Sequence, residues 1–180
     1  MDPAASEQCT VFNGTIRIAE GPPDAVLAEA RRAAEQGGRV QAFDDQSGHP
    51  LELDLRPDAP APAARGRGRP RLGVTAREVT LLPRHWDWLA AQPGGASIAL
   101  RRLVEAARKS PAERSRSSAE AAYRFMTAMA GDLADYEAAT RALFAGDRAG
   151  FIAAVAGWPQ DLRDHAMRLA DDALDAEAAR

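Results

Sequence analysis

Residues 57–73 read PDAPAPAARGRGRPRLG, and they offer no apolar face with which to bury their backbone. Pro and Ala keep the first half extended, and the second half sets arginines between glycines and a proline. A stretch of this kind, placed a third of the way along a chain of 180 residues, divides whatever is folded. That length suffices for one sizeable core or for two small ones joined by a linker. The expected organisation is an α+β unit over 1–56, the linker over 57–73, a strand and two helices over 74–110, and a small helical bundle over 111–180.

The first section predicts ββαββ. Asn13-Gly14 between Thr10-Val11-Phe12 and Ile16-Arg17-Ile18 is a strong hairpin signal. Pro22-Pro23-Asp24 opens a helix in which Val26, Leu27, Ala30, Ala33 and Ala34 recur at helical spacing, and Gly37-Gly38 closes it. Val40–Phe43 predicts a third strand, residues 44–48 a polar turn, and Leu51–Leu55 a fourth strand with one wet face. Beyond the linker, Glu78–Leu82 predicts a short strand stopped by Pro83. Two helices follow, Pro83–Ala91 and Ala96–Lys109, broken at Pro93-Gly94-Gly95. Ser110-Pro111-Ala112-Glu113 has capping-box spacing and opens the bundle. Helices there carry Tyr123, Phe125, Met126 and Met129, then Leu133 to Phe144, then Phe151 to Val155, and last Leu162, Ala166, Leu169 and Leu174.

Charge singles out the middle. Arg65 to Arg116 holds 12 basic residues against 4 acidic, a net of +8, whereas the rest holds 11 against 22, a net of −11. Such a partition points to an anionic partner, either DNA or an acidic protein surface. Within the linker, Arg65, Arg67, Arg69 and Arg71 alternate with Gly66, Gly68 and Pro70. The substring Arg67-Gly68-Arg69-Pro70 resembles the AT-hook, a short minor-groove motif. By that resemblance those four residues would lie along a narrow A·T-rich groove, with Arg65 and Arg71 on phosphates. A solvated basic linker, or general nucleic-acid affinity, accounts for the same residues. Arg101, Arg102 and Lys109 extend the basic surface onto the second helix.

Arg77–Lys109 resembles the ribbon-helix-helix fold, which implies a strand pairing with its copy in a dimer and entering the DNA major groove. Trp86, Leu89, Ile98, Leu100, Leu103 and Val104 would supply its core. Gly95-Ala96-Ser97 would present backbone N–H groups to a phosphate. In this chain the strand would meet the groove with Glu78 or with aliphatic residues, unlike the polar and basic faces of that family. The other reading places Glu78–Leu82 in the N-terminal sheet, with the helices packed on it.

Other residue types carry less. His165 lies among Asp161, Asp164, Asp171 and Asp172, and the i,i+4 pair Asp161 and His165 could share a metal face, although an acidic solvated helix fits equally. His85, between Arg84 and Trp86, reads as a packing or capping residue. Residues 44–48 faintly resemble an EF-hand loop but have Leu55 where its last glutamate should stand. Ser115, Ser117 and Ser118 read as a helix start or as phosphorylation sites. Cys9 is the single cysteine, which rules out an intrachain disulfide and fits a reducing cytoplasm. No phosphate-cradling glycine loop, cofactor motif or catalytic constellation is present, so a non-enzymatic protein is expected. No run reaches the ~20 apolar residues of a spanning helix, and the start MDPAASEQCTVF shows no signal peptide.

Taken whole, the chain is similar to bacterial domain-of-unknown-function family 2239. The likeness lies in FDDQSGHPLELDLR, in GRPRLGVTAREVTLLPRHWDWLAAQPGGASIALRRLVEAARK and in FAGDRAGFIAAVAGWPQDLRDHAMRLA. It implies a compact bacterial cytoplasmic protein and brings no activity, ligand or catalytic residue.

Overall fold

In a computed structural model of the chain, residues 8–56 and 77–175 are described. They are mixed α+β and fall into two compact units, one made of residues 8–56 with 111–175 and the other of residues 77–110.

The hairpin forms as expected. β1 (Cys9–Asn13) and β2 (Ile16–Gly21) pair antiparallel around Gly14, whose φ of +60° lies in the left-handed region that glycine enters freely. The register slips between Val11 and Phe12, a bulge that raises the local twist. After helix α1 (Pro23–Glu35), β3 (Val40–Asp44) returns antiparallel on the other side of β1, and β4 (Pro50–Leu51) closes an antiparallel sheet of order β2-β1-β3-β4.

Of the expected fourth strand, Leu51–Leu55, only Leu51 enters the ladder, together with Pro50 just before it. Leu51, Leu53 and Leu55 nonetheless stay half-buried while Glu52 and Asp54 face solvent. The alternation there is satisfied by packing beside the strand, without cross-strand hydrogen bonds. Asp54 instead grips Arg56 at 2.8 and 2.5 Å, which draws its carboxyl down to about 2.

The sheet buries both faces. Cys9, Val11 and Ala42 pack with Val26 and Ala30 of α1. Thr10, Phe12 and Phe43 point the opposite way, as the two-residue period of a strand demands. Phe12 and Phe43 belong to a core built with the C-terminal helices α4 (Pro111–Ala130), α5 (Tyr136–Ala145), α6 (Arg148–Val155) and α7 (Gln160–Asp175). Phe125 of α4 meets both phenylalanine rings, its centroid 5.4 Å from Phe12 and 5.1 Å from Phe43. α4 and α7 lie together along this face. Ser118 stitches them by donating to the Leu169 carbonyl at 2.6 Å and accepting from the Ala173 amide at 3.1 Å.

The turn at 44–48 docks on α4. Asp44 Oδ1 accepts from the amides of Gln46 and Ser47 and from the Ser47 hydroxyl, the hydrogen bonding of an Asx turn. Gly48 has φ +68°, and a Cβ there would lie 2.1 Å from the Ala121 carbonyl oxygen. Conformation and close approach both require glycine at this position. Arg124 completes the docking with a 2.9 Å bond to the Ser47 carbonyl.

The second unit is smaller. α2 (Pro83–Ala90) and α3 (Gly95–Arg108) form where the sequence places them, separated by a turn in which Gly94 and Gly95 take φ of +84° and +75°. The expected strand over Glu78–Leu82 is not formed, and that segment is no part of the N-terminal sheet. A strand needs a neighbour for its backbone groups, and the four sheet strands satisfy one another without it.

Candidate functional site

Each unit holds one region of chemical interest. The first lies where the sheet meets α7. Thr10 is fully buried and donates to Asp45 Oδ1 at 2.7 Å, while accepting from Arg168 Nη2 at 2.9 Å. The same Arg168 nitrogen sits 2.7 Å from His165 Nδ1, and its other terminal nitrogen holds Glu20 at 2.7 Å. Arg17 braces Glu20 from the far side at 3.2 Å, and its amide donates to Asp161 at 2.8 Å. Arg168 therefore ties β1, β2 and the 44–48 turn to one face of α7.

The protonation states follow from this geometry. Arg168 can only donate, so His165 Nδ1 accepts and the ring is neutral with its proton on Nε2. Burial, reinforced by the neighbouring Arg168 charge, drives the His165 pKa down to about 3. Its Nε2 has no hydrogen-bond partner among the described residues, and Asp45 Oδ1 lies 3.9 Å away. Burial raises Asp45, with the Thr10 bond opposing, whereas the hydrogen bond from Arg168 lowers Glu20. Cys9 is buried, and burial lifts its thiol to about 11, far from a nucleophilic thiolate at neutral pH.

This arrangement corrects the reading of α7 as a solvated acidic helix at His165. Phe125 and Phe12 pack against the His165 ring at centroid distances of 4.4 and 5.4 Å, and the side chain is fully buried. Asp161 and His165, the spacing considered for a metal, serve different partners. Among the described residues no group of three potential metal ligands exists. Sequence reasoning missed Thr10, Glu20, Asp45 and Arg168 because each belongs to a different element. The legible signal was the i,i+3 pair His165 and Arg168, which share one helix face.

The second region is the 77–110 unit. Arg101, Arg102, Arg108 and Lys109 lie on one side of α3 by helical spacing, split by Glu105, with Leu103 opposite and Val104 bordering Arg101 and Arg108. Arg101 folds back to the Ser97 carbonyl at 3.2 Å, and Arg108 pairs with Glu105 at 3.1 Å. Arg102 and Lys109 are exposed and make no side-chain hydrogen bond or ion pair among the described residues. His85 and Asp87 are exposed on α2. The remaining predicted binding residues, Arg65, Arg67, Gly68, Arg69, Pro70 and Arg71, lie outside the described residues, as does the rest of the 57–73 linker.

The model of one protein family matches residues 8–170, and so takes in the sheet, the 77–110 unit and most of α7. The chain belongs to the DUF2239 family, uncharacterized proteins conserved in bacteria. The match spans every residue of the Thr10–Asp45–His165–Arg168 network and all of α2 and α3. Comparison with curated proteins and with solved structures finds no match. No helix among the described residues is long and apolar enough to cross a membrane.

Proposed function

We propose that this DUF2239 protein is a non-enzymatic, cytoplasmic, nucleic-acid-associated protein that holds DNA through its basic middle. The observation that carries this reading is the charge partition, +8 over Arg65–Arg116 against −11 elsewhere. Arginines that alternate with glycine suit a narrow groove, and Arg65, Arg67, Arg69 and Arg71 supply that pattern through the AT-hook-like Arg67–Pro70. Arg102 and Lys109, exposed and unpaired among the described residues, add phosphate contacts from α3, with Arg101 beside them. The ribbon-helix-helix likeness of Arg77–Lys109 contributes the two helices alone to this reading. The ionisable groups of the other unit support a non-enzymatic role. Cys9 is held as a thiol, and His165 is sealed between Phe12 and Phe125 with its lone pair committed to Arg168.

An acidic protein surface is the second reading, favoured by the same excess of arginine. Fluorescence anisotropy on duplex DNA, with protein stripped of nucleic acid, separates the two. For four to six phosphate contacts, log K should fall with log[salt] at a slope of about −3 to −5. Arg67→Ala with Arg69→Ala should flatten that slope by ~1–2. Absence of binding at low salt rules out the DNA reading and leaves the acidic protein surface.

A further inference from the structure

We infer that Trp88, with Arg84 beside it on α2, is a stacking platform for an unpaired base, so that the nucleic acid held there is single-stranded. The inference rests on the nucleic-acid reading above and narrows its ligand. The three tryptophans of the chain are used in three ways. Trp158 is 5% exposed, and its indole N–H donates to the Ala134 carbonyl at 2.8 Å. Trp86 is 40% exposed and shares a side of α2 with Leu82 and the buried Leu89 by helical spacing. Trp88 is 51% exposed and lies off that side. Among the described residues its ring meets no other aromatic ring and its indole N–H has no hydrogen-bond partner. Outside the helix ladder it is held only through its carbonyl, which accepts from Gln92 Nε2 at 3.3 Å. A tryptophan placed in this way contributes nothing to the core.

Its neighbour on the helix is a cation. Arg84 stands one turn earlier and about 40° round the helix from Trp88, with Asp87 on its far side. Arg84 is exposed and makes no ion pair or side-chain hydrogen bond among the described residues. An indole to cover a base and a guanidinium one turn away for its phosphate are the two parts of a single-strand site. The unit over 77–110 holds six basic residues against three acidic, a net of +3, which suits a polyanion. Duplex DNA cannot use the platform, because its bases are stacked on one another and show only their edges in the grooves. An unpaired base has both faces to offer, and every base has a π-face, so the contact is tolerant of sequence.

Charge and direction favour this occupant over two others. The face of an indole ring carries negative charge and repels a carboxylate, so an acidic protein gains nothing from Trp88, whereas a nucleobase stacks on it. A lipid surface needs the exposed apolar side chains of the unit on one side. Here Trp86 and Trp88 project about 160° apart on α2. Ile98, 50% exposed, stands on the charged side of α3 among Arg101, Arg102 and Glu105 by helical spacing. No single plane takes them all.

Fluorescence anisotropy of the full chain, stripped of nucleic acid, tests this with dye-labelled oligo(dT) and a duplex of equal length at low salt. The wild type should bind both. Trp88→Ala should weaken oligo(dT) binding by about 5–150-fold, the size of one base–aromatic stack, and leave duplex binding within about twofold. Trp88→Phe keeps a ring and should retain most of the oligo(dT) affinity. Oligo(dT) binding alone, lost in Trp88→Ala, upholds the inference and removes the groove-bound duplex from the reading above. No loss on oligo(dT), or an equal loss on both ligands, overturns it. Duplex binding without oligo(dT) binding overturns the inference alone and leaves the DNA reading standing. Binding to neither overturns both and leaves the basic middle to an acidic protein.

Discussion

The 8–56/111–175 unit and the 77–110 unit spend their apolar residues in opposite ways. In the first, Phe12, Phe43, Phe125, Phe151, Met126, Leu143 and Leu162 are all fully or almost fully buried. The second carries Trp86, Trp88, Ile98, Leu103 and Val104 at exposures of 40% or more. Their ion pairs differ as well. Arg168 of the first unit is tied to Glu20, Thr10 and His165 at once, whereas Arg102 and Lys109 of the second have no partner among the described residues. Side chains spent on a core fix a shape. Side chains left in water, with unneutralised charge beside them, are available for a partner.

The sharpest way to break this contrast is to remove Phe125, where the sheet and the C-terminal helices meet. Phe125→Ala should lower the unfolding free energy of its unit by ~3–5 kcal/mol, the usual cost of a large aromatic cavity. Denaturant titration followed by circular dichroism reads this, and a loss below 1 kcal/mol would mean that the interface is not a core.

A smaller effect should come from pH, through His165. Its pKa is depressed to about 3 in the folded chain against 6.5 when unfolded. The neutral ring therefore stabilises fully above pH 6.5, and that stability is lost as pH falls towards the folded value. Between pH 6.5 and 4.5 the loss should approach ~2–3 kcal/mol, with a slope of ~1.4 per unit. Glu20, held low by Arg168, is lost in the same direction at lower pH, whereas Asp45, raised by burial, opposes both. His165→Leu keeps the two carboxylates and should flatten the profile above pH 5. A wild-type profile level from pH 7 to 5 would show that His165 is not excluded from protonation.

The smallest effect belongs to the other unit. Trp88 is 51% exposed and lies off the apolar face that holds Leu82, Trp86 and Leu89. Trp88→Ala should change stability by less than ~0.5 kcal/mol, as surface positions do. A loss comparable to that of Phe125→Ala would place Trp88 in a core and erase the distinction between the units.

Local chemistry sufficed for the elements: the Asn13-Gly14 hairpin, the proline-opened helices at Pro23 and Pro83, the glycine breaks at 37–38 and 94–95, and the α+β class all follow from residues close in sequence. The charge partition is likewise a property of the sequence. Tertiary structure alone decided where strands end and which faces meet. Leu51–Leu55 alternates like a strand, yet of these residues only Leu51 finds a ladder, because pairing depends on a neighbour and not on the strand itself. Glu78–Leu82 finds none among the described residues. His165 sits in an acidic stretch whose composition suggests solvent, and it is buried because Phe12, 153 positions earlier, and Phe125 converge on its ring. The bonds that Arg168 makes to Thr10 and Glu20 span similar distances in sequence. Periodicity within a helix shows which residues share a face, but what that face meets depends on elements more than a hundred residues away.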